Sequence, residues 1–226
     1  MNEQFNMLVA GLTGQGTVML TRVLATALLA EGHKVLATDV PAPTHRFSTT
    51  YSHIRWGSKV YAEAVPEGEA DLVVGMEPAE CLRVGLKFAN EDTLVIMNDS
   101  PIFRMLFTPE VQTARGLIYP RLEEILGYFR RMGINKVKHF NATEVAANEA
   151  GNILTMNMVM LGAAFATGMI PAKAETIANC IVSLAPKKAL DANLKAFQAG
   201  ARKFSEIESR GDCLQGSPAR KVLREG

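Results

Sequence analysis

Between residues 11 and 17 the chain reads Gly-Leu-Thr-Gly-Gln-Gly-Thr, directly after an apolar run and directly before a segment with helical spacing. A glycine turn in that position offers backbone N–H groups and the positive end of a helix, the chemistry that holds a phosphate or another anion. Two nucleotide motifs are approached and neither is completed. The dinucleotide fingerprint G-x-G-x-x-G needs a glycine where Thr13 stands, and the phosphate loop G-x-x-x-x-G-K-[ST] finds Gly11, Gly16 and Thr17 but no lysine. Asp39 stands roughly twenty residues on, where a ribose-binding acid would lie. Three readings follow: a dinucleotide site, a turn that serves only close strand–helix packing, or a helix start that holds a phosphate, a coenzyme or the backbone of a partner.

A second group is basic. His45, Arg46, His53 and Arg55 fall close together, and strand alternation sets His53 and Arg55 on one face, away from Ile54. Such a face can meet a phosphate or carboxylate, or it can be an ordinary solvated surface. Ser48, Thr49, Thr50 and Ser52 form no nucleophile elbow, and no H-E-x-x-H, G-x-S-x-G or persuasive S-x-x-K segment occurs. Gly211-Asp212-Cys213 is out of context for a thiamine-binding segment. Cys81, Cys180 and Cys213 are far apart and unpaired in spacing, which suggests reduced thiols and neither a disulfide framework nor a zinc or iron–sulfur site. Any redox centre that this chain serves is therefore expected in another chain.

The elements that must position these residues are those of an α/β protein. The chain has 226 residues, 48% hydrophobic and 21% charged, enough for one large domain or a domain with an appendage. Its 24 Lys+Arg against 23 Asp+Glu leave a net charge of +1, so no global field steers it to nucleic acid or an anionic membrane. The start lacks the pattern of a signal peptide, and the apolar stretch 153–170 is interrupted by Thr155, Asn157 and Gly162, which reads as a buried helix and not a membrane span. A cytoplasmic chain is expected.

Apolar runs at 5–11 and 34–40 flank helical spacing at 18–30, an opening βαβ unit. Pro41 and Pro43 then bar a helix, and the alternation at 51–56 and 60–65 around Gly57-Ser58 predicts a β-hairpin. Strands follow at 71–76, 93–97 and 136–140, helices at 77–89 and 120–132, a long connection at 98–117, and helices throughout 142–207. The expected fold is a Rossmann-like, mostly parallel sheet with an inserted β-hairpin and a helical C-terminal subdomain. One domain spans 1–208, its helical part beginning near 142, and a flexible or partner-contacting tail spans 209–226.

Over residues 5–204 the chain resembles the gamma-type domain of the 2-oxoacid:ferredoxin oxidoreductases, nearest their indolepyruvate branch. Gly11, Gly14, Gln15 and Gly16 match the opening G-x-G-G-Q-G, and Arg46, Arg55 and Gly57 match a later arginine-bearing segment. Val65-Pro66-Glu67-Gly68, Glu77-Pro78-Ala79-Glu80, Glu149-Ala150-Gly151-Asn152 and Pro186-Lys187 carry the likeness onward. The resemblance implies an auxiliary subunit, inactive alone, with no catalytic residue or metal of its own. Thiamine diphosphate and [4Fe-4S] clusters would lie in a large partner subunit, with coenzyme A as co-substrate and ferredoxin as the electron acceptor. The complex would convert an aryl-pyruvate such as indolepyruvate to acyl-CoA and CO2. It further implies that Gly11, Gly14, Gln15, Gly16, Thr17, Arg46 and Arg55 serve the coenzyme or oxoacid. Thr13 and the stretch Pro41-Ala-Pro43-Thr44-His45 depart from the family pattern. The competing readings are a stand-alone NAD(P)-binding oxidoreductase and a non-catalytic scaffold subunit.

Overall fold

The apolar run near the start forms β1 (Phe5–Leu12), buried along its whole length, as a strand covered on both faces must be. In the computed structural model, which describes residues 3–40, 48–102 and 119–210, the glycine turn leads from β1 into α1 (Thr17–Ala30) and then β2 (Val35–Val40). Next comes β3 (Thr49–Trp56). It does not extend the sheet outward. It inserts between β1 and β2 and runs antiparallel to both, with Met7 opposite Ile54 and Ala37 opposite the same residue from the other side.

The remaining strands, β4 (Ala70–Gly75), β5 (Ala89–Asn98) and β6 (Val137–Phe140), add in parallel to give the order β2-β3-β1-β4-β5-β6. The sheet is thus parallel in sense except for β3. The expected hairpin around Gly57-Ser58 does not form, because residues 60–65 form no strand; β3 pairs instead with β2, which precedes it. Both edges of β3 are already taken, so no ladder is open to that segment. Side chains of β3 hold it instead, as described below.

Helices cover both faces. α2 (Pro78–Phe88) and α3 (Leu122–Arg131) pack on the face that carries Leu8, Ala10, Val73, Val95 and Met97. α1 and the C-terminal helices cover the face that carries Met7, Val9, Ile54, Leu72 and Ile96. After β6 the described chain is helical, in α4 (Ala142–Ala150), a 3-10 turn (Ile153–Thr155), α5 (Met156–Ala166), α6 (Ala174–Leu184) and α7 (Leu190–Ser209). Residues 156–164 of α5 are all buried, which explains an apolar stretch with little amphipathic character. Gly162 and Gly200 let the backbones of α5 and α7 approach so closely that an added Cβ at either would meet a carbonyl oxygen of the other helix. The tail from residue 211 and most of the expected 98–117 connection lie outside the described residues.

Candidate functional site

The 11–17 turn stands at the carboxyl ends of the parallel strands, the edge at which open α/β sheets hold their ligands. Gly14 and Gly16 adopt φ of 99° and 82°, a region that side chains with a Cβ enter only at a cost. Gly16 is the residue before α1, and among the described residues no side chain caps that helix or places an acid in its first turn. The backbone donors of the helix start are thereby left to something other than a cap.

Three amides fix the turn. The Gln15 side chain accepts a hydrogen bond from the Leu12 N–H at 2.7 Å and donates to the Met76 carbonyl at 3.0 Å. Asn98, at the end of β5, donates to the same Met76 carbonyl at 2.9 Å and accepts from the Ala142 N–H at 3.0 Å. Asn157 of α5 donates to the Gly16 carbonyl at 3.3 Å, with its side chain lying where a Gly16 Cβ would be. Gly11 is needed for close approach: a Cβ there would stand 3.0 Å from Gln15, Met76 and Thr17. Thr13, the departure from the family pattern, ties the turn to the start of β3, since its N–H and hydroxyl both donate to the Ser48 carbonyl, at 2.8 and 3.2 Å. Gln15 was readable as part of a motif. Asn98 carries no motif, and its only signal in the sequence is that of a polar residue closing an apolar strand.

Close by, after β4, the buried Glu77 accepts the Tyr119 hydroxyl and the Glu80 N–H, the latter at 2.9 Å. A cleft of about 220 Å³ opens there between Pro78, Asp99, Pro101 and Tyr119. Asp99, on its wall, pairs with His139 at 2.9 Å. Asp39, in contrast, hydrogen-bonds Ser52 of β3. Because β3 separates β2 from β1, Asp39 sits two strand spacings, roughly 10 Å, from the strand that feeds the turn. A dinucleotide whose pyrophosphate lay on the turn would find β3 where its ribose acid should be.

The basic pair on β3 faces α2 and is buried. The Arg55 Nε donates to Asn6 at 2.7 Å and its Nη1 to the carbonyls of Ala62 and Ala64 at 2.9 and 3.0 Å. The His53 Nδ1 accepts the Val65 N–H at 3.0 Å. These bonds fasten segment 60–65 to the sheet face in place of a strand ladder. His45 and Arg46 lie outside the described residues.

Burial, with Lys87 and Arg55 adding repulsion, pushes the His53 imidazole below its ordinary value of 6.5. The unfolded chain therefore binds this proton more readily than the folded one. Its stabilising contribution is complete above about pH 6.5 and is lost as the pH falls below that value. The urea midpoint should drop between neutral pH and pH 5, and His53→Gln should remove that part of the pH dependence.

Burial also pushes up the Cys81 thiol, which is packed in α2, and raises Cys180. Neither is suited to thiolate chemistry. Among the described residues no group of three or more His, Cys, Asp or Glu could hold a metal ion, and no helix is long and apolar enough to cross a membrane.

Residues 6–203 match the family described as pyruvate ferredoxin/flavodoxin oxidoreductase. The chain is 35% identical over 206 residues to the indolepyruvate oxidoreductase subunit IorB of Pyrococcus horikoshii, covering 91% of this chain and 98% of that one. It is 27% identical over 201 residues to the 2-oxoglutarate synthase subunit KorC of Archaeoglobus fulgidus, covering 88% of each. Among solved structures, the pyruvate oxidoreductase subunit PORC of Thermotoga maritima superposes with a TM-score of 0.65 at 21% identity, over 89% of this chain and 97% of that one. The six-stranded α/β fold is thus that of oxidoreductase gamma subunits. By the family match and the near full-length relatives alike, the chain belongs to the pyruvate ferredoxin/flavodoxin oxidoreductase family.

Proposed function

We propose that the chain is the auxiliary small subunit of a 2-oxoacid:ferredoxin oxidoreductase of the aryl-pyruvate type, acting beside a larger subunit that carries thiamine diphosphate and [4Fe-4S] clusters. The observation that carries this reading is the 11–17 turn, with its helix start uncapped and its conformation held by Gln15 and Asn157. Identity of 34–35% to IorB subunits over 91% of the chain supports the aryl-pyruvate assignment. The donor set of the described residues does not fit an iron–sulfur cluster, since Cys81 and Cys180 are buried singly with raised thiols. It does fit an anionic coenzyme, because backbone N–H groups at a helix start suit a phosphate.

In this reading coenzyme A supplies the thiol that becomes the acyl-CoA. The chain's own part is to bind and orient its phosphates, with Gly14, Gly16 and Thr17 giving backbone and Gln15 setting the turn. Arg46, placed by sequence alone in the neighbouring segment, adds a planar donor fork for phosphate or carboxylate. Arg55 contributes from beneath by holding segment 60–65. An enzyme with ferredoxin as acceptor and reduced thiols on this chain suits the cytoplasm.

Co-expression with the large subunit, affinity capture of this chain and metal analysis of the captured complex test the proposal. A complex that contains iron and reduces ferredoxin only with a 2-oxoacid and coenzyme A is expected. A chain that purifies alone and binds NADH would overturn it. In the active complex, Arg46→Ala should raise the KM for coenzyme A or the oxoacid about tenfold, the loss of one charged hydrogen bond, while assembly is retained. Both KM values are measured in the same variant, so the one that moves identifies the ligand.

A further inference from the structure

The sheet edge opposite the glycine turn carries a cleft of about 560 Å³, in the size range of small-molecule sites. It opens where the turn between α5 and α6 meets the starts of β1 and β2 and the end of β3. Its apolar wall is Met169 and Pro171, backed by the buried stacked pair Phe5 and Trp56, with ring centroids 4.3 Å apart and planes 20° from parallel. Its polar wall is His33, Lys34 and Ser58.

The sign of a ligand's charge follows from the side chains around it. Among the described residues no acid lines the cleft. The acids nearest in sequence are engaged elsewhere: Glu3 pairs with Lys59 at 2.7 Å, and Glu31 accepts the Thr176 hydroxyl and, at 3.1 Å, the Lys173 N–H. The His33 Nε2 donates to the Pro171 carbonyl at 2.9 Å, which fixes the mouth. The Lys34 ammonium stands 4.8 Å over the Tyr61 ring, and among the described residues no carboxylate pairs with it.

We propose that this cleft binds a small apolar monocarboxylate, its body against Met169 and Pro171 with Trp56 behind them and its carboxylate toward Lys34. Met169 and Pro171 give the ligand's body most of its apolar surface, and the exposed lysine supplies a modest preference for the anion. A site at the junction of sheet and helical region joins Trp56 of β3 to the 168–171 turn, so an occupant bridges two parts of the chain.

Trp56 is the single tryptophan of the chain, so the fluorescence of the full-length protein reports on the cleft directly. Titration with 3-cyclohexylpropanoate, which does not absorb in this range, should give a saturable change. The uncharged 3-cyclohexylpropanamide should bind about threefold more weakly, as expected for a solvent-exposed ion pair. Lys34→Met should weaken the acid to the level of the amide while leaving the amide unchanged. No saturable response, or equal binding of acid and amide by the unaltered chain, would overturn the proposal. Calorimetry on the complex with the large subunit completes the test: retained binding supports a ligand site, and lost binding would overturn it by assigning the cleft to the partner contact.

Discussion

Alanine at Gly200 is expected to lower the unfolding free energy by about 3 kcal/mol, although alanine is the better helix former by about 1 kcal/mol. Gly200 lies in the middle of α7, and a Cβ there would overlap the Val159 carbonyl oxygen of α5. Gly162 of α5 stands in the reciprocal position, against the Phe197 carbonyl of α7. An obstructing backbone atom cannot rotate aside as a side chain can. The two helices must separate, opening the packing of Ala163, Ala196 and Phe197. The steric effect outweighs the propensity gain, and the urea midpoint should fall for either variant. A raised midpoint for Gly200→Ala would mean that the close crossing does not exist. Because Asn157 begins the same helix, displacement of α5 should also disturb the Gly16 contact.

The second large effect is expected at Arg55. Replacement by methionine keeps the length of the apolar stem and removes the guanidinium, leaving Asn6 and the carbonyls of Ala62 and Ala64 without their donor. The buried Asn6 acceptor left unmet costs about 1–3 kcal/mol, and the carbonyls of Ala62 and Ala64, which lie on exposed residues, cost less because water reaches them. Some relief comes from no longer burying the charge, which at 6% exposure is held among neutral acceptors. A net loss of about 3 kcal/mol is expected for Arg55→Met, read as a lower urea midpoint, with proteolysis newly favoured in segment 60–65. Arg55→Lys should recover only part of the loss, because one ammonium cannot reach Asn6 and both carbonyls with the same geometry. If Arg55→Met changed stability by less than about 0.5 kcal/mol, the fastening role would fail, and a ligand-facing role would be the better reading.

The same residues show why the sequence was legible in some places and not in others. β1, the glycine turn and α1 could be read because apolar periodicity and punctuation by glycine are local signals, and the structure places them within a residue of expectation. The C-terminal helices were legible for the same reason. Residues 60–65 alternate as a strand would, yet they form none. Their backbone partners are the side chains of His53 and Arg55, and sequence spacing does not reveal that a strand's two edges are already occupied. The family motif marked Gln15, but the convergence of Gln15 and Asn98 on the Met76 carbonyl depends on contacts between residues distant in sequence.

The insertion of β3 also bears on the order in which the chain can assemble. β2 follows β1 in sequence with only α1 between them, yet β2 has no direct bond to β1 and pairs with β3 alone. The first βαβ segment therefore cannot close as it emerges. It must wait for residues 49–56, and loop-closure entropy is incurred before β2 gains any ladder. Register carries a further consequence, since sliding β3 by one residue would turn His53 and Arg55 toward α1 and bring Ile54 to face α2. An exacting register on both edges of β3 makes β2 and β3 a single cooperative unit, in which β2 holds its place only through β3.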